Sequence, residues 1–162
     1  MLSQFKGAVF DYTKKYRFLL WRFWDDRPRV LFVGLNPSTA NELEDDPTVG
    51  RLASFAERWT YGGFYLCNVF GQVTAYPEEL SSGRALHAAN QPAILMANKL
   101  TVASVLMWGD GIQKVKNGRS IAEHVKNLVA PSFCFGLTQK GNPKHPLYLP
   151  RDTELIEYER QK

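Results

Sequence analysis

The run RVLFVGLN at residues 29–36 constrains the fold more than any other part of the chain. Val30, Leu31, Phe32 and Val33 are apolar without interruption and end at Gly34, the pattern of a short strand covered on both faces, as in a parallel sheet. Parallel strands need crossovers of a dozen or more residues, usually helical, so the rest of the chain should alternate strand with helix. Over residues 48–59 the apolar side chains Val49, Leu52, Phe55, Ala56 and Trp59 recur at helical spacing. Asp46 is the natural N-cap of that helix, Pro47 its first residue, and Gly62 and Gly63 its stop. Strands are expected over 64–70, 102–108 and 132–136, and further helices over 84–100 and 119–129. The predicted fold is α/β, a three-layer sandwich with a central, mainly parallel four-stranded sheet. Aromatic-rich segments at 7–12 and 16–24, joined by Thr13, Lys14 and Lys15, predict an N-terminal β-hairpin that extends it. A length of 162 residues suits a single α/β domain over 1–162, with the hairpin at about 7–24 and the core at about 29–150.

Composition narrows the function classes. Twenty Lys plus Arg against sixteen Asp plus Glu give a net charge of +4, which permits a polyanionic partner without forming a basic tail. Cys67 and Cys134 each lie in an apolar run, the setting of a buried thiol, and two cysteines without a CxxC build no four-cysteine cluster. Asp45, Asp46 and Asp110 have no histidine at ligand spacing, so neither a metal nor another cofactor is expected. Walker A, strand-linked GxGxxG and GxSxG patterns are absent. No apolar signal core opens the chain and no stretch approaches about 18 consecutive apolar residues, so a cytoplasmic, monomeric protein away from membranes is expected.

Open parallel sheets bind ligands at the carboxyl ends of their strands. Here those ends carry Asn36-Pro37-Ser38-Thr39, Asn68, Trp108-Gly109-Asp110, and the loop 138–150 with His145. Gly34 would let a ligand approach the backbone, and Pro37 would hold Asn36 extended; an ordinary Asn-capped turn is the alternative. Ser38 and Thr39 add donors for a phosphate or a base edge. Arg51, one turn into the first helix, reaches either a phosphate or an acidic neighbour. His145 lies in GNPKHPLYLP, a loop stiffened by three prolines that can hold one imidazole as a hydrogen-bond donor, with Lys144 alongside. His87 and His124 fall in expected helices and carry no assigned role. Lys114, Lys116, Arg119, Lys140, Lys144 and Arg151 are candidate phosphate contacts or simply solvated surface.

In order, the blocks RVLFVGLNPSTANELEDDPT, FYLCNVF, VLMWGDG and GNPKHPLYLP closely resemble an uncharacterised bacterial and phage family defined by the same blocks. Their order is in turn remotely similar to the uracil-DNA glycosylase superfamily, in which a G-x-[DN]-P loop, a strand-ending Asn, an apolar-Trp-Gly strand end and a His-Pro loop line one pocket. That resemblance implies that Asn36 orients the attacking water, Asn68 reads the base edge and His145 donates to a base oxygen. It places Leu149 at the position of an intercalating leucine, with Leu147 or Tyr148 as equivalent wedges. The sequence also departs from the pattern. Asn36 is an amide and no strong base, Ser38 replaces the tyrosine that excludes the thymine methyl, and the loop continues Leu-Tyr in place of Ser-Pro. The expectations are a nucleobase-recognising domain that hydrolyses an N-glycosidic bond in DNA, a non-catalytic nucleic-acid or nucleotide-binding module, or a hydrolase of free nucleosides or nucleotides. DNA or a nucleotide is the expected partner.

Overall fold

A computed structural model describes residues 5–158. Its strands are β1 (Phe5–Phe10), β2 (Arg17–Phe23), β3 (Arg29–Gly34), β4 (Gly63–Asn68), β5 (Ser104–Leu106), β6 (Ser132–Cys134) and β7 (Ile156–Glu157). They form one sheet in the order β1-β2-β4-β3-β5-β6-β7. The β3–β4, β3–β5 and β5–β6 pairings are parallel, while β1–β2, β2–β4 and β6–β7 are antiparallel. The expected four-stranded, mainly parallel sheet is thus a mixed sheet of seven strands. Antiparallel neighbours need no helical crossover, so the hairpin docks on β4 at one end and β7 returns onto β6 at the other.

Residues of β3 and β4 alternate between two cores, as a pleated strand demands. Val30, Phe32, Phe64 and Leu66 pack with Val49, Leu52, Phe55 and Ala56 of helix α1 (Pro47–Arg58). Leu31, Val33 and Cys67 pack with Ile94 and Ala97 of α2 (Asn90–Lys99) and with Ala122 and Val125 of α3 (Gly118–Lys126). α1 starts where the sequence predicts, because the Asp46 carboxylate accepts the Val49 amide at 2.8 Å and Pro47 occupies the first turn.

The helix expected over 84–100 is shorter. Two 3₁₀ turns (Pro77–Ser81 and Gly83–Ala85) and an extended Leu86 precede α2. His87 accounts for the interruption: its Nδ1 accepts the Ala89 amide at 3.1 Å, and its ring lies against Tyr16 and Phe18 at 4.9 and 4.7 Å between centroids. His87 is therefore outside the helix, whereas His124 is exposed on α3. A second local feature bears on the site. Val9 pairs with Leu19 but Phe10 pairs with Arg17, so β2 carries one extra residue at Phe18. Such a bulge breaks the in–out alternation and re-aims the neighbouring side chain, here Arg17.

Candidate functional site: a polar cleft at the strand ends

The carboxyl ends of β3, β4 and β5 open into a cleft of about 310 Å³. Asn36, Asn68 and His145, which come from three separate sequence blocks, line this one cleft together with Gly34, Ser38 and Asp46. Trp108 and Asp110 complete the expected residues found there.

Asn36 is oriented by the main chain. Its Nδ2 donates to the carbonyls of Thr74 at 2.7 Å and Pro37 at 3.1 Å. With the Gln72 carbonyl at 3.5 Å, three carbonyl acceptors demand a donor, which fixes the amide orientation and leaves Oδ1 as the group offered to a ligand. Asn68 is the complement. Its buried side chain accepts from Arg17 through Oδ1 at 3.4 Å, while Nδ2 meets no protein acceptor among the described residues and remains a donor.

His145 is exposed at the rim of the cleft. Its Nδ1 accepts the Leu147 amide at 3.3 Å, so the neutral ring carries its proton on Nε2. Desolvation by the surrounding protein lowers its pKa from the ordinary histidine value, against an opposing pull from Asp46. The ring is thereby kept as a neutral donor. Gly109, at φ +66°, donates to the Pro143 carbonyl at 2.8 Å and so ties this turn to the loop that carries His145. Asp110 sits on the wall with its Oδ1 committed, accepting from Thr138 at 2.6 Å and Asn142 at 2.8 Å, and these bonds lower its pKa. It holds the loop that delivers His145, a structural use of a residue the sequence suggested as a ligand contact. Asp46 caps α1 through Oδ1, and its Oδ2 meets no protein donor among the described residues.

The remaining candidates lie elsewhere. Pro37 is buried with its carbonyl turned to Asn36, and Thr39 is exposed outside the cleft. Lys144 lies along Gly136 and does not line the cleft. Arg51 donates to the Leu149 carbonyl, sits over the Phe55 ring, and lines a separate groove with Arg58 and Arg151. Leu149 packs against the α1 core, which is incompatible with an exposed wedge; Leu147 is half-buried, and Tyr148 is 93% exposed. The candidate phosphate contacts do not form one stripe. Lys114 pairs with Glu78 at 3.6 Å and Lys116 is exposed, while Arg119 and Lys140 line a second cleft and Arg151 the groove beside Arg51.

Arg17 is the lining residue that sequence reasoning missed, along with Leu35, Thr48, Leu66, Met107 and Gly111. Its only outward sign is a charge inside the apolar strand RFLLWRF, a sign it shares with Arg22. Arg22 is fully engaged, bonding Asp45 at 2.8 Å and the carbonyls of Asn41 and Trp21 at 2.6 and 2.8 Å. Among the described residues Arg17 meets the Ala40 carbonyl at 2.9 Å and Asn68 at 3.4 Å. Desolvation lowers its pKa to about 10, with Asp46 opposing, so it stays charged at neutral pH.

Both cysteines are buried free thiols; burial pushes the Cys67 thiol up to about 12, which makes it inert. Among the described residues no group of three or more His, Cys, Asp or Glu side chains could hold a metal, and no helix is long and apolar enough to cross a membrane.

Fold and site together define an α/β protein with a donor-rich polar cleft at the ends of its parallel strands. The chain belongs to the family described as protein of unknown function (DUF1643), whose model matches residues 17–147. No curated protein and no solved structure matches it.

Proposed function

We propose that this cleft binds a nucleobase and hydrolyses its N-glycosidic bond in DNA, in the manner of a uracil-DNA-glycosylase-like three-layer α/β domain. The observation that carries this reading is the convergence of Asn36, Asn68 and His145 on one cleft. Their remaining valences are complementary to the reaction: an acceptor at Asn36 Oδ1, a donor at Asn68 Nδ2, and a neutral donor at His145 Nε2.

In such a hydrolysis the bond between the sugar C1′ and the base nitrogen breaks, and its electron pair leaves with the base. Water oxygen bonds to C1′ through an oxocarbenium-like transition state. Asn36 Oδ1 orients the water, and the uncommitted oxygen of Asp46 accepts its proton. Asn68 and His145 donate to the base as negative charge develops on it, and solvent protonates the released base. In duplex DNA the nucleotide must leave the stack, with exposed Tyr148 the wedge that fills the gap.

The test is base release from single- and double-stranded oligonucleotides carrying uracil, hypoxanthine, alkylated or hypermodified bases, read by mass spectrometry. Release that is lost in both Asn36→Ala and His145→Ala supports the reading. Salt-sensitive oligonucleotide binding without release replaces it with a binding module, and turnover of free nucleosides alone replaces it with a small-molecule hydrolase.

A further inference from the structure

Arg17 and Arg22 lie five residues apart on β2, 2% and 1% exposed, yet their surroundings differ in kind. A guanidinium carries five N–H donors. Those of Arg22 meet a carboxylate and surrounding carbonyls, as a structural arginine requires. Among the described residues those of Arg17 make two hydrogen bonds, both to neutral oxygens, and its buried Nε meets no acceptor. Among the described residues no ion pair includes Arg17. The carboxylate whose field reaches it, Asp46, spends one oxygen on the α1 cap. A buried charge left this open is costly unless a partner completes it. The guanidinium lines the cleft, so the partner can come from a ligand. Asn68 Nδ2 is a second donor beside it, and together they make the inner wall rich in donors.

We propose that Arg17 forms an anion-recognising inner wall, and that the base this cleft takes carries a planar anionic substituent, a carboxylate, at its buried end. A carboxylate matches the guanidinium fork with two coplanar oxygens, which a lysine cannot reproduce as a point charge. This inference rests on the nucleobase reading of the cleft and specifies its substrate class. Because Arg17 lies beneath the surface, its pairing is screened by salt far less than contacts from the exposed lysines.

The test is calorimetric titration of the full chain with 5-carboxyuracil, its neutral isostere 5-acetyluracil, uracil and benzoate, at low and high salt. The expected result is binding of 5-carboxyuracil about tenfold tighter than 5-acetyluracil, retained at high salt, with benzoate weaker than either. Arg17→Gln abolishes that preference and Arg17→Lys retains only part of it. Equal binding of the two uracils, or a preference that survives Arg17→Gln, overturns the inference and leaves the nucleobase reading standing. Equal binding of benzoate and 5-carboxyuracil supports the anion site and overturns the nucleobase reading. No binding by any of the four overturns both. Should Arg17→Gln fail to fold, the comparison of carboxyl with acetyl on the unmodified chain still decides the matter.

Discussion

A Cβ placed on Gly34 would stand 2.9 Å from the Nδ2 of Asn68 and 3.4 Å from the Met107 Cε. The glycine that ends β3 is thus what lets the strand-ending asparagine of β4 face the cleft at close quarters. Gly34→Ala should push the Asn68 amide aside and cost about 1–3 kcal/mol of stability through overpacking. Ligand affinity should fall while the fold survives, which urea unfolding beside ligand titration will show. Unchanged affinity would mean that the Asn68 amide is not a ligand contact.

Asn36 should tolerate no carboxylate. Asn36→Asp removes the donor that the Pro37, Gln72 and Thr74 carbonyls share and aims negative charge at them. A loss of about 1 kcal/mol is expected, the net worth of the hydrogen bonding removed at this half-buried position, measured by chemical denaturation. Stability equal to the parent chain would show that the 72–74 segment moves freely away from Asn36.

His145 makes the protein sensitive to acid in a defined window. Its pKa in the folded chain lies below the ordinary value of 6.5, so between the two values the unfolded chain binds more protons. The stability it contributes is fully present above the ordinary value and is lost as pH falls through it toward the folded one. NMR titration of the ring should place the midpoint below that of a histidine peptide. Base release, if it depends on the Nε2 donor in its neutral form, should decline over the same window, and His145→Gln should flatten the stability profile.

Asp46 separates capping from charge. Asp46→Ala should cost about 1 kcal/mol by removing the α1 cap, whereas Asp46→Asn keeps an acceptor for Val49 and loses little stability. Both remove the negative charge that opposes desolvation at His145, so both should lower the His145 pKa further. A histidine titration unmoved in both variants would rule out the electrostatic link.

Asp110 should act through the loop that its carboxylate holds. Asp110→Ala releases Thr138 and Asn142, so amide exchange across 138–145 should rise while α1 and β3 remain protected. Protection unchanged in that loop would show that the prolines hold His145 without help.

Much of this molecule is legible from local pattern. The unbroken apolar run Val30–Val33 specifies a strand buried on both faces because each face needs its own helix, and the two cores on either side of β3 meet that need. Asp46 and Pro47 mark the start of α1 because capping involves only residues three apart. The positions of Asn36, Asn68 and His145 in one cleft follow from strand ends, which the sequence locates.

Other features depend on groups distant in the chain, and local pattern is silent about them. His87 ends a helical reading because its ring finds Tyr16 and Phe18, some seventy residues earlier. Leu149 lies on the α1 core instead of reaching outward, its carbonyl held by Arg51. Above all, Arg17 and Arg22 are the same residue type in the same apolar strand. The bulge at Phe18 and the carboxylate of Asp45 decide that one is saturated within the protein while the other opens onto the cleft. Periodicity specifies which side chains are buried, but only the packed structure decides which buried charge forms no ion pair among the described residues.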